Sequence, residues 1–169
     1  SEAKAQIAKL FDGTAAYFRM EHVERGSVQL IGSGGSVTIL APHKCPHPVN
    51  SPQGTAAGMT PPASVDCNDG PGGRCIPSDT SNGAFYDIDL WNDNATWNAL
   101  NFLQEQGHYF HYNFVAVNNT SGYGNCQFTA QAFGDLDADM TYSTFERSGA
   151  ADLQGVNGAA GLYIDQEVE

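Results

Sequence analysis

From Gly134 to Arg147 the chain reads Gly-Asp-Leu-Asp-Ala-Asp-Met-Thr-Tyr-Ser-Thr-Phe-Glu-Arg, with aspartates at 135, 137 and 139. Oxygen-bearing side chains stand at Asp135, Asp137, Asp139, Thr141, Ser143 and Glu146, which are positions 1, 3, 5, 7, 9 and 12 of an EF-hand-like spacing. Hard oxygen ligands at this density suit calcium, so a Ca2+ site on Asp135, Asp137, Asp139, Thr141 and Glu146 is one reading. Two features oppose a true EF-hand. Position six is Met140, where the sharp turn wants glycine, and the flanks have the composition of strands instead of helices. The other reading is a solvated DxDxD turn at the tip of a β-hairpin.

The histidines offer a second chemistry. His43 and His47 bracket Cys45, and His108 lies three residues from His111, so a soft-metal or Cys/His catalytic site is conceivable. The structural alternative is favoured: His43 and His47 flank a disulfide in a Pro-rich loop, and residues three apart on a strand point to opposite faces. No GxSxG, HExxH, Walker-type loop or dinucleotide fingerprint occurs, and no enzymatic activity is expected. Trp91 and Trp97, with Tyr86 and Tyr109, form either a sugar-stacking platform or part of a core. Core packing is favoured, because large aromatics dominate the cores of small domains. Asn94-Ala95-Thr96 and Asn118-Asn119-Thr120-Ser121 match glycosylation acceptors, a match that arises easily by chance.

Cys45, Cys67, Cys75 and Cys126 are even in number and contain no CxxC pair, which weakens zinc-ribbon and thioredoxin readings. Two disulfides in an oxidising compartment fit better, since the segment 41–84 has little apolar content with which to hold itself down. Three connectivities are possible, and the sequence alone does not choose among them. A forced choice pairs Cys67 with Cys75 across the Gly-rich loop from Asn68 to Arg74 and leaves Cys45 for Cys126.

The elements that must position these groups follow from periodicity. Apolar residues at Ile7, Leu10, Phe11, Ala15 and Phe18 have helical spacing and predict an amphipathic helix over residues 1–23. Gly13 inside it costs about 1 kcal/mol relative to alanine, so this helix depends on packing. Short β-prone runs at 27–31 and 36–40 follow, separated by Gly32-Ser33-Gly34-Gly35. Residues 41–84 hold all eight prolines and read as a loop ordered by disulfides, not as a packed element. Beyond them, helical turns are predicted around Trp97–Leu103, then strands over 109–117, 126–133, 142–147 and 162–164, with Phe128, Ala130 and Ala132 on one face. A helix laid on such an antiparallel meander is an α+β fold, and 169 residues form one domain with a β-rich core in 85–169.

Net charge is −12, from seven basic and nineteen acidic residues, which disfavours attraction to phosphate backbones or anionic lipid. Nucleic acid is not an expected partner.

The opening helix, the Trp97-x-x-Leu100-x-Phe102 run, Tyr109-Phe110-x-Tyr112, and Phe128-Thr129-Ala130 leading into Gly134-Asp135-Leu136-Asp137 together resemble type IV pilin-like proteins. These are the pilins, minor pilins and pseudopilins of Gram-negative bacteria, including those of myxobacterial type. The likeness covers most of the chain outside 41–84, and Met140 departs from the glycine usual at that turn. It implies an N-terminal helix packed on an antiparallel sheet, with residues 1–23 the second half of a longer helix. A leader and about 20 or more apolar residues, long enough to anchor in the inner membrane, would precede it. It further implies a structural subunit of a pilus or a type II secretion-like filament, exported to the cell surface and partnered by its own or other pilin-like subunits. Ile7, Leu10, Phe11, Ala15 and Phe18 would bind the helix to its own sheet, and any calcium would rigidify the hairpin. The alternative is a secreted calcium-stabilised or carbohydrate-binding module with no filament role.

Overall fold

The computed structural model describes residues 2–19, 45, 58–118, 126–152, 155–158 and 163–165. The runs at 27–31 and 36–40, with His43 and His47, lie outside the described residues. Helix α1 spans Glu2–Arg19, with an acidic first turn and a basic last turn that complement the helix dipole. Its buried stripe is Ala3, Ile7, Leu10 and Thr14, flanked by the partly buried Phe11 and Phe18. Ala15 lies at the half-buried margin, and Thr14 takes the inner place instead. A threonine is tolerated there because its hydroxyl donates to the Leu10 carbonyl at 2.9 Å, leaving no orphaned polar atom. Full burial of Ile7 and Leu10 contributes about 1.5–3 kcal/mol each.

The sheet beneath α1 is an antiparallel meander. Its strands are β3 (His111–Asn118), β4 (Cys126–Gly134), β5 (Ser143–Asp152), β6 (Gly155–Gly158) and β7 (Tyr163–Asp165), in the order β3-β4-β5-β6. β7 pairs with β5 beside Phe145, so β6 and β7 share one edge of β5, with β6 not separately expected from sequence. Register opposes Phe128 to Gly149 and Ala132 to Phe145. Burial alternates along β4, with Cys126, Phe128, Ala130, Ala132 and Gly134 inward, as a sheet covered on one face requires. The mixture of helix and antiparallel sheet is the expected α+β class.

α1 packs on β4 and β5: the Phe11 and Phe128 rings lie 5.3 Å apart, and the Arg147 guanidinium sits 3.9 Å from the Phe11 centroid. Phe114 stacks on Phe128 at 5.8 Å.

The segment before the sheet is more than a stapled loop. Two short strands, β1 (Ile76–Ser78) and β2 (Phe85–Asp87), pair in parallel, and a 3₁₀ turn covers Cys67–Asp69. Thr60 exchanges backbone hydrogen bonds with Tyr112 (2.8 and 2.9 Å), and Cys75 does so with His108 (2.8 and 3.0 Å). The expectation of a region held by disulfides alone is therefore corrected for 58–84. Backbone pairing, which prolines and glycines do not advertise, ties it to the sheet.

Helices α2 (Asp89–Asn92) and α3 (Ala95–Leu100) follow, and Asn94 caps α3 by accepting from the Thr96 and Trp97 amides at 3.0 and 3.1 Å. The asparagine of the Asn94-Ala95-Thr96 acceptor thus has a structural task. α3 meets α1 at Gly13, where an added Cβ would stand 2.5 Å from the Leu100 carbonyl oxygen. This close approach explains a glycine in mid-helix. Gly13→Ala should therefore destabilise the protein by roughly 1–3 kcal/mol in urea denaturation, overpacking outweighing the gain in helix propensity. A stabilised variant would show that the two helices separate at no cost.

Candidate functional site

The acidic run forms the tip of the β4–β5 hairpin. Carboxylate oxygens of Asp135, Asp137 and Asp139 lie within 4.8 Å of one another. The backbone curls around them: Asp135 accepts from the amides of Asp139 (3.1 Å) and Met140 (3.0 Å), Asp137 from Asp139 (3.4 Å), and Asp139 from Thr141 (2.7 Å). Ala138 and Met140 adopt the left-handed conformation, φ 57° and 67°. Met140, 91 % exposed, thus takes the backbone shape a glycine would supply. Crowding at the tip and the adjacent Asp139 and Asp135 carboxylates push the Asp137 pKa up, while the Asp139 amide opposes them.

The wider ligand ring set out from sequence does not assemble. Ser143, the first residue of β5, is buried and donates its hydroxyl to the Gly134 carbonyl at 3.0 Å, closing the hairpin. Glu146 pairs with Gln131 and Tyr163 within the sheet and is not part of the carboxylate cluster. Thr141 contributes its amide to Asp139, and its side chain stays exposed. The physical reason is the exit element. A helix would bring position twelve back over the loop, whereas a strand carries it away at about 3.4 Å per residue and puts Ser143 and Glu146 on opposite faces. Three carboxylates remain together, a set that can accept one hard cation but cannot enclose it alone.

His108 and His111 are both buried, and each is tied to a backbone carbonyl. His108 Nδ1–H donates to Phe110 O at 2.7 Å, which leaves Nε2 to accept from the Tyr86 hydroxyl at 2.6 Å; Tyr86 Oη in turn accepts from Trp91 Nε1–H at 2.7 Å. Because a carbonyl can only accept and an indole N–H only donate, the direction of all three bonds is fixed. Trp97 Nε1–H donates to Thr60 Oγ1 at 2.9 Å. Trp91, Trp97 and Tyr86 are core residues, so no sugar platform forms on them, and Tyr109 alone of that quartet is exposed. His111 Nδ1 donates to Pro61 O at 2.8 Å and its ring meets Tyr142 edge-on at 5.8 Å. The sequence carried no signal for the Tyr86–His108 contact beyond the polar tips of both residues.

Two disulfides join Cys67 to Cys75 and Cys45 to Cys126, and they fit an oxidising environment. Among the described residues no helix is long and apolar enough to cross a membrane. No protein-family model matches this chain, and no curated protein or solved structure is detectably similar to it.

Burial lowers the His108 pKa to about 4, opposed by its bond to Phe110 and helped by His111; burial likewise lowers His111. A depressed folded-state pKa stabilises the protein above the unfolded value near 6.5, and that stabilisation is lost as pH falls towards 4. For His108 the loss amounts to roughly 3 kcal/mol across that window, at about 1.4 kcal/mol per unit. Urea denaturation from pH 7 to 4 should show this decline, and His108→Asn should flatten it by about one proton. An unchanged slope in the variant would assign the acid sensitivity to His111 and the carboxylates.

Proposed function

We propose that this chain is the head of a pilin-like filament subunit exposed at the cell surface. The observation that carries the reading is the two-sidedness of α1. One stripe, Ala3, Ile7, Leu10 and Thr14, is buried in the head, while the opposite stripe, Ala5, Ala8, Asp12 and Ala16, is exposed and mostly small. Short side chains let another helix approach at the 8–10 Å of close helix packing. Head-to-tail packing of identical helices in this way generates open filaments without closed symmetry. The sheet and the hairpin tip would then face outward, with the net charge of −12 keeping the heads soluble.

The coding sequence upstream of Ser1 tests this directly. A short basic leader followed by an unbroken apolar stretch with a glutamate near its start supports the reading. An ordinary cleavable signal peptide ending before Ser1 sinks it in favour of a free secreted module. In the producing bacterium, Ala8→Glu should abolish filaments that can be sheared from the surface. As an exposed substitution it should change the stability of the isolated head by no more than about 0.5 kcal/mol.

In the same reading, calcium on Asp135, Asp137 and Asp139 rigidifies the hairpin by relieving repulsion among three clustered carboxylates that already accept backbone hydrogen bonds. Calcium should raise the melting temperature, a chelator should reverse the rise, and Asp137→Ala should abolish both effects. Indifference to chelator would leave the tip as a hydrogen-bonded turn without metal.

A further inference from the structure

His111 opens β3 beside the Cys67–Cys75 disulfide, and all three residues are buried, at 2 %, 7 % and 0 % exposure. The Pro61 carbonyl can only accept, so His111 Nδ1 carries the ring proton and Nε2 keeps a lone pair. That lone pair faces Cys67 Sγ at 3.6 Å. A disulfide sulfur has no proton to give, so this contact is not a hydrogen bond. Among the described residues no other group donates to Nε2. A buried acceptor without a donor is costly, and here it faces the Cys67 sulfur.

Cys67 Sγ, Cys75 Sγ and a His111 ring nitrogen all lie within 4.8 Å of one another. Tetrahedral zinc with Zn–S near 2.3 Å and Zn–N near 2.0–2.1 Å requires an S···N edge of about 3.5 Å and an S···S edge of about 3.8 Å. One of the two S···N edges, Cys67 to His111 at 3.6 Å, is already in place, the Cys75 edge lies within 4.8 Å, and the bonded S–S pair is too close. The proton on the opposite nitrogen is held by a backbone carbonyl, the outer-shell contact that orients a histidine ligand. Both cysteines are also held independently of their covalent bond. Cys67 lies in the 3₁₀ turn, where its carbonyl accepts from the Gly70 amide at 3.0 Å, and Cys75 exchanges its two backbone hydrogen bonds with His108. The loop is closed tightly at Gly70, where a Cβ would overlap the Arg74 carbonyl at 1.8 Å.

We propose that, once the Cys67–Cys75 bond is reduced, Cys67, Cys75 and His111 hold one divalent cation of the zinc class, with water in the fourth position. A phosphine or a dithiol supplies the two electrons that break the Sγ–Sγ bond, water or the dithiol supplies two protons, and the reductant leaves as phosphine oxide or cyclic disulfide. The metal then displaces the two thiol protons to the solvent. Two thiolates, a neutral imidazole and a divalent cation sum to zero charge, which a buried position tolerates far better than bare thiolates. A metal-held closure thereby replaces a covalent one at the same place in the fold.

The test uses the whole protein reduced anaerobically with a phosphine and titrated with Co2+ as a coloured stand-in for zinc. The expected result is one Co2+ per chain, with sulfur-to-metal charge transfer and the intense visible bands of tetrahedral cobalt, bleached by one equivalent of zinc. Cys67→Ser should cut the charge-transfer band by at least half, and His111→Gln should weaken binding at least tenfold. The double variant Cys45→Ser, Cys126→Ser should keep the spectrum. Weak octahedral spectra, or a spectrum indifferent to His111→Gln, overturn the proposal, the latter by showing adventitious thiol binding. If reduction alone erases the near-ultraviolet circular dichroism, zinc must restore it in the parent and not in His111→Gln; failure to do so overturns the proposal as well.

Discussion

Residues 108–112 carry the junction on which the layers of this fold converge. His108 pairs its backbone with Cys75, and Tyr112 pairs its own with Thr60, so both ends of the stretch anchor the Pro- and Gly-rich layer to the strand that begins the sheet. The Glu2 carboxylate of α1 reaches the same place, accepting from the Tyr112 hydroxyl at 2.7 Å and the Tyr109 amide at 3.2 Å. Around it stand Trp91, Phe102 and Tyr112, with ring centroids 5.3–6.3 Å apart. Removing one anchor would strand a polar group in an apolar setting, where an unmet hydrogen bond costs about 1–3 kcal/mol. Helix, irregular layer and sheet therefore stand or fall together.

The junction also explains why the buried histidines are neutral. Each gives its one ring proton to a main-chain carbonyl, and burial disfavours a second proton. In His108 the remaining lone pair is satisfied by Tyr86, whereas in His111 it faces sulfur. Two residues of the same type three positions apart thus have different chemical standing, set by what faces Nε2. The buried tyrosines follow the same logic: burial pushes the Tyr86 and Tyr112 hydroxyls up, and the Glu2 carboxylate adds to the effect at Tyr112.

Much of the architecture was legible in sequence because periodicity reports burial. Ile7 and Leu10 on α1, and Phe128, Ala130 and Ala132 on β4, lie where helical and alternating patterns put them. Thr14 was not, since a polar residue enters the stripe only through its local bond to Leu10. The pairing of 58–84 with the sheet was hidden because backbone hydrogen bonds leave no mark on residue type. The acidic tip was half legible: spacing located Asp135, Asp137 and Asp139, but the distant members depended on whether a helix or a strand leaves the loop. Gly13 could be read only as a local cost, because its reason is the Leu100 carbonyl, far away in sequence.

The Cys45–Cys126 bond spans 81 residues and joins the chain ahead of the irregular layer to the first residue of β4. In the chain-entropy view such a closure disfavours the unfolded ensemble by about 4–5 kcal/mol, and the Cys67–Cys75 loop is nested inside it. This gives the chain topological insurance. A single backbone cut anywhere between the two outer cysteines leaves α1 covalently joined to the strand it covers, so the helix stays at high effective concentration over its own sheet. The cut can fall in the stretch richest in proline and glycine and still leave the helix and sheet joined.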